Sequence, residues 1–433
     1  MFEDLQVKVE GGFDIRLPNM VPIKQKFQMS KVDDVPGVVE AEFGKTEVRA
    51  KIKPGMKVAV AVGSRGIHNL KEIVACVVRE IKRMGGEPFI VPAMGSHGGA
   101  TAEGQAQVLA DYGIIESSVG CPIRSSMETV QVGHLPSGIP LYFDQFAYES
   151  DAIVAVSRVK PHTDFKGTVE SGLQKMIVIG LGKHKGASYI HSLGFDRFHA
   201  VIPEAGKALI ARTNMAVGVA IIENARDETA EIVAVPAESI CETEPELLIR
   251  AKAAMPKLLL DQIDVLVVEE IGKNISGSGM DPNIVGRTGS GLTEGFLAPP
   301  IQKIVVRDLT DKTHGNAAGI GIADIITAKV FNKIDFGYTY ANCITSTALL
   351  GAKIPVVLRS DKEALAVAVK TSNRVTPETV KIVWIQNTLK LERIYVSDTY
   401  LGEIANRDEI VVEGEPVPIE FDHRGQLATL FQF

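Results

Sequence analysis

The sequence predicts an α/β protein of two domains, each with a mostly parallel or mixed sheet flanked by helices, and an active site in the cleft between them. Three observations carry that expectation. Short apolar runs such as Val58–Val62 and Ala152–Val156 alternate with stretches of helical periodicity, the pattern of buried parallel strands joined by crossover helices. The βα series lapses and then restarts at Asp264-Val-Leu-Val-Val268. At 433 residues, the chain also exceeds what one ordinary core accommodates. The expected division is 1–262, carrying the catalytic and cofactor residues, and 263–433, closing over the substrate.

The first 50 residues read as short strands and turns, punctuated by Gly11-Gly12 and Pro36-Gly37. A strand at 57–62 leads through Gly63-Ser-Arg-Gly66 into a helix with Asn69 as its cap. Leu70, Ile73, Val74, Val77, Val78, Ile81 and Met84 form the apolar stripe of that helix, and Gly85-Gly86 ends it. A strand at 88–92, the loop Met94–Gly99 and a helix near 102–112 complete a βαβα unit, which implies parallel pairing with right-handed crossovers. Further strands are expected at 152–157, 176–181 and 215–222, with a helix around 198–212. The acidic stretch 238–246 reads as a solvated helix start. After the strand at 264–268 comes a long Gly-rich loop, Gly272 to Gly295, then a strand at 302–307 and a helix near 319–333. Ser360-Asp-Lys-Glu363 forms a capping box before the apolar run to Val369, and 381–386 is the last clear strand.

Composition narrows the function. Hydrophobic residues make up 45% and charged residues 23%, with a net charge of −7 and no clustered basic face, so no nucleic-acid footprint is expected. No apolar run reaches the length of a bilayer span, and the first residues lack a signal-peptide pattern; a cytoplasmic location is expected. The four cysteines are far apart and lack metal-pair spacing. Cys76 lies on the apolar face of a predicted helix, so a buried, unreactive thiol is expected and disulfides are not.

Three polar residues each follow a predicted buried strand. Strands of an open parallel sheet present their carboxyl ends along one edge, where ligands bind. Arg65 lies in a Gly-flanked turn, where its planar guanidinium is suited to a carboxylate or a phosphate; the alternative is a surface arginine bonded to nearby carbonyls. His97, within Gly95-Ser-His-Gly-Gly99, can exchange a proton near neutral pH. His162 follows Arg158-Val-Lys-Pro161 and opens a polar loop too long for a simple turn. Lys166 and Lys175 are both candidates there for anion contact or covalent attachment. The glycines of Ile177–Gly186 miss the dinucleotide spacing, and neither a G-x-S-x-G elbow nor a Walker loop occurs. His184 and His191, with His162, would be a metal set, but the H-E-x-x-H pattern is missing.

Taken in order, Ser64-Arg-Gly66, Gly95-Ser-His97, Lys160-Pro-His162, Lys175 and His191 resemble the nickel-pincer lactate racemase family over residues 50–200. The resemblance implies a nickel-pincer nucleotide, a pyridinium-3-thioamide-5-thiocarboxylic acid mononucleotide with nickel. In that picture Lys175 carries the thioamide link and His191 completes the nickel coordination. His97 and His162 are the acid–base pair, and Arg65 holds the substrate carboxylate. The implied reaction is racemisation or epimerisation of a 2-hydroxy acid by hydride transfer. In the second domain the family's Gln-x-x-Lys substrate element is replaced by Gly272–Asp281, where Lys273 or Asn274 can substitute, with Arg287 as a further candidate. That departure admits a larger sugar acid or dicarboxylate beside lactate. The loop from His162 to Lys175 is also longer than the family's, which leaves Lys166 as a rival anchor.

The expected partners are a small 2-hydroxy acid and, transiently, the enzymes that make the cofactor; nucleic acid and membrane are not, and a homo-oligomer is compatible with the chain. Two other readings stand beside this one. One is a divalent-metal lyase or isomerase with His162, His184 and His191 as ligands. The other is a non-catalytic carboxylate- or nucleotide-binding homologue.

Overall fold

Alternation of side chains along the buried strands divides the core of the unit Gln28–Met255 in two. In the computed structural model, which describes residues 7–64, 66–427, 430 and 431, a five-stranded sheet runs in the order Glu87–Pro92, Lys57–Val62, Ala152–Arg158, Met215–Glu223, Thr229–Pro236. The first four strands are parallel and the last is antiparallel. Val58, Val60, Val62, Val154 and Val156 point to one face, where the helices Val35–Gly44 and Leu70–Arg83 pack. Ala59, Ala61, Ile153 and Ala155 point to the other, against the segment from Leu173 to Ser192 and the helices Phe198–Arg212 and Ile240–Ala254. Small alanines on this second face let the backbone of that segment come close, and this is where the candidate residues gather.

The chain forms two compact units, Gln28–Met255 and a second made of Met1–Phe27 with Pro256–Phe433. The second holds an eight-stranded mixed sheet in the order Val356–Leu358, Ile325–Thr327, Ile301–Val306, Ile263–Val268, Ile382–Ile385, Arg393–Ser397, Met20–Gln25, Ile410–Val412. The expected division at 262/263 keeps the N-terminal residues with the first domain. In the structure, Met20–Gln25 pairs antiparallel with both Arg393–Ser397 and Ile410–Val412. A contact this distant in sequence leaves no local pattern to read.

Four other expectations are corrected. Residues 35–49 are helical, with Asp34 accepting the N–H of Gly37 as a cap. Asn69 precedes its helix in a left-handed conformation and makes no side-chain cap bond. Residues 176–181 are not a strand: Met176–Gly180 is a π-helical segment leading into the helix Lys183–Ser192. An apolar run buried on all sides has no periodicity to tell strand from helix. Here the glycines decide, because a Cβ at Gly180 would lie 2.7 Å from the carbonyl of Ala93. The helix expected near 319–333 is instead a short turn, the strand Ile325–Thr327 and a short helix, Ala328–Asn332.

Elsewhere expectation and structure agree. Ser360 accepts the N–H of Glu363 at the start of the helix Asp361–Thr371. Cys76 is buried, and burial pushes its thiol up. No helix among the described residues is long and apolar enough to cross a membrane.

Candidate active site

Parallel pairing of Glu87–Pro92, Lys57–Val62 and Ala152–Arg158 puts the ends of three strands side by side, so the loops that begin with Gly63, Ala93 and Val159 emerge along one edge. Arg65 lies outside the described residues. Its neighbour Ser64 is described, and its hydroxyl hydrogen-bonds Nδ1 of His97. A hydroxyl donates or accepts, so this contact serves either neutral tautomer of His97.

The His97 loop leans on the segment that follows Lys175. Gly95 takes φ +60° and donates its N–H to the carbonyl of Gly180 at 3.1 Å. A Cβ there would meet Ala187 at 3.2 Å, so only glycine brings the loop this close in this conformation.

His162 starts a loop whose ends close on themselves: Lys160 and Ser171 exchange two backbone hydrogen bonds at 3.0 and 3.1 Å. Inside it Glu170, fully buried, accepts the N–H of His162 at 2.7 Å and pairs with Lys166 at 3.1 Å and Lys252 at 2.7 Å. Lys166 also donates to the carbonyl of His162 at 2.7 Å. Nδ1 of His162 accepts the N–H of Asp164 at 2.9 Å, which assigns the proton of a neutral ring to Nε2. The Asp164 carboxylate lies 4.0 Å from the same Nδ1.

Aromatic rings connect His162 to His191. Phe195 lies 6.0 Å from the His162 ring and 5.8 Å from that of His191. Phe165 and Phe198 form a second bridge, His162 to Phe165 at 4.5 Å and Phe198 to His191 at 5.3 Å. His191 donates from Nδ1 to the carbonyl of Ala187 at 2.6 Å, one helical turn back, leaving the Nε2 lone pair for a metal. Burial pulls its pKa below the usual histidine value, the bond to Ala187 opposes this, and the nearby Lys175 charge lowers it further. The ring is thereby kept neutral. Lys175 sits half-buried at the start of the π-helical segment, a helix form often found at functional sites.

The structure thus brings His162, Lys175 and His191 into one neighbourhood, with the His97 loop packed on the His191 helix. His184 is exposed and contacts Ser188 at 3.4 Å. Among the described residues, no group of three or more His, Cys, Asp or Glu side chains is placed to hold a metal ion. In the other unit, Arg287 is committed to Asp324 at 2.7 Å and to the carbonyls of Ile322, Ile301 and Gln302. Lys273 donates to Asn342 at 2.9 Å, and Asn274 accepts the Thr310 hydroxyl at 2.5 Å.

Sequence reasoning missed the groups behind these residues. Glu244, buried on the helix Ile240–Ala254, accepts the N–H of Gln174 at 2.9 Å, next to Lys175. Lys183, Asp144 and Gln105, all fully buried, meet beneath the His97 loop. The spacing of Lys166 and Glu170, one helical turn in sequence, was a legible signal for an ion pair; for Glu244 none existed.

Residues 13–200 match the family described as lactate racemase N-terminal domain. Among solved structures, the chain is similar to the lactate racemase apoprotein from Thermoanaerobacterium thermosaccharolyticum, at 13% identity and a TM-score of 0.46, over 83% of this chain and 96% of that one. No curated protein matches the sequence.

Proposed function

We propose that the chain, whose residues 13–200 match the lactate racemase N-terminal domain, is a racemase or epimerase of a 2-hydroxy acid working with a lysine-linked nickel-pincer nucleotide. The observation that carries the proposal is the gathering of His162 and His191 around one aromatic cluster, with Lys175 near enough to bear on the charge of His191 and the His97 loop packed on the same helix.

The donor set fits the cofactor. His191 is neutral, with Nδ1–H held by a carbonyl, as a histidine ligand requires. Lys175 supplies an amine beside it for the covalent link. When bound, the group would supply hydride-accepting chemistry, a task beyond any side chain. The protein's share is to bind, orient and move the hydroxyl proton.

His97 and His162 would take and return that proton on opposite sides of a planar 2-keto acid. His97 would suit the proton-accepting role, because the Ser64 hydroxyl can accept from a protonated Nδ1 and so accommodate the tautomer with its lone pair on Nε2. His162 would return the proton as the imidazolium, for which Nδ1 must exchange the Asp164 N–H at 2.9 Å for the Asp164 carboxylate, 4.0 Å away. Arg65, by family resemblance, would hold the carboxylate and keep the acid in place between half-reactions. Lactate and larger 2-hydroxy acids are both admitted.

Intact mass spectrometry of protein made together with the cofactor-making enzymes tests the link. Added mass that maps to Lys175 and disappears in Lys175→Ala is expected; its absence would overturn the proposal. Enantiopure 2-hydroxy acids turned over in heavy water test the chemistry. Inversion with little deuterium at C2 is expected, whereas full incorporation would mean proton abstraction.

A further inference from the structure

Behind the His97 loop lies a buried polar network that touches no reacting atom in the mechanism above. Lys183, the first residue of the His191 helix, is 0% exposed and holds φ +53°, a left-handed conformation that residues other than glycine rarely adopt. Its ammonium donates to the carbonyl of Pro92 at 2.5 Å and to Oε1 of Gln105 at 3.0 Å, and it pairs with Asp144 at 3.1 Å. Pro92 is the last residue of the strand before the His97 loop. Gln105, through Nε2, donates to the carbonyls of Gly95 at 2.9 Å and His97 at 3.2 Å. Asp144 caps a short helix through the N–H of Ala147 at 2.8 Å and donates its own N–H to the carbonyl of Leu181 at 2.6 Å.

A buried ammonium is costly unless paired and fully hydrogen-bonded. Here its bonds run to the strand end before His97, to the glutamine under His97, and to Asp144, whose own N–H holds the Leu181 carbonyl just before the His191 helix. Packing of the apolar neighbours does not need a charge at this point. Fixing the two loops relative to each other does.

We propose that Lys183 and Gln105 are positioning residues that lock the His97 loop onto the helix carrying His191, setting where the His97 ring stands for proton transfer. This rests on the racemase reading for its catalytic consequence, but not for the bracing itself.

Lys183→Met is the direct variant, but it strands the buried Asp144 carboxylate and risks misfolding. Gln105→Glu is the decisive one. It keeps size and the contact to Lys183, while replacing the donor to the Gly95 and His97 carbonyls with an acceptor that repels them. Hydrogen exchange at residues 94–100 should quicken about tenfold, with the strands Lys57–Val62 and Ala152–Arg158 unchanged. With the cofactor attached at Lys175 as in the parent, kcat should fall about 100-fold and KM should stay within about threefold.

Unchanged exchange in the loop would overturn the bracing. Acceleration throughout the unit would reduce the network to general stability and overturn the positioning role. So would a loosened loop with undiminished kcat. A parent protein that turns over no 2-hydroxy acid would instead defeat the racemase reading, and the exchange measurement would still decide the bracing.

Discussion

Nδ1 of His162 faces two groups of opposite character, the N–H of Asp164 at 2.9 Å and the carboxylate of the same residue at 4.0 Å. The first suits the neutral ring and the second the imidazolium, since a protonated Nδ1 can no longer accept and must find an anion. Proton transfer at His162 therefore needs a small turn of the ring or of Asp164, whose Oδ2 the Thr163 hydroxyl holds at 2.7 Å. Asp164→Asn keeps the shape and removes the charge. Turnover should drop roughly tenfold, as expected for a lost charge partner of an acid–base group, while intact mass spectrometry should show the same modification at Lys175. Turnover equal to the parent's would mean that Asp164 only closes its loop. His97 and His162 were legible because each follows a buried strand and stands beside glycine or proline, and that position has a physical meaning in a parallel sheet. Asp164 was not, because its role depends on a ring two residues away and on the folded course of the loop.

The helix Ile240–Ala254 supports the candidate site from behind at two points. Glu244 holds the N–H of Gln174 beside Lys175, and Lys252 reaches Glu170 within the His162 loop. Glu170 joins these elements: its oxygens take the His162 N–H, Lys166 and Lys252, all from full burial. Glu170→Gln should leave two lysines without their carboxylate and cost about 2–3 kcal/mol, below the full value for a buried pair because both lysines are partly exposed. Urea unfolding followed by far-UV circular dichroism measures this, and a change below about 0.5 kcal/mol, typical of a surface position, would rule the brace out. The strands and amphipathic helices of this unit were readable because period and length agree for them, as in Leu70–Arg83. The π-helical segment after Lys175 was not. Its residues are apolar on every side, and its form follows from Gly180 and Gly182 pressing on Ala93 and Val178, contacts that exist only once the chain has folded.

Stability of the whole molecule should carry the mark of one carboxyl. Glu244 is 1% exposed, and burial pushes its pKa from 4.5 up to about 7, against the opposing hydrogen bond from the Gln174 backbone. Its Oε1 has no hydrogen-bond partner among the described residues and faces Gly172, where a Cβ would lie 2.0 Å from it. Between pH 4.5 and about 7 the folded protein keeps a proton that the unfolded chain has released. Folding stability therefore falls as pH rises through that window and levels off above it, a loss on the order of 3 kcal/mol. Glu244→Gln stays neutral at every pH, so the difference between variant and parent isolates this one titration from all others. The variant should gain on the parent from pH 5 to about pH 7, hold that gain to pH 8, and be the more stable of the two at the upper end. Hydrogen exchange of the helix Ile240–Ala254 reports the unit concerned, whereas the single tryptophan, Trp384, lies in the other one. A variant-to-parent difference that stays constant from pH 5 to pH 8 would show that the fold does not hold the Glu244 proton up to about pH 7.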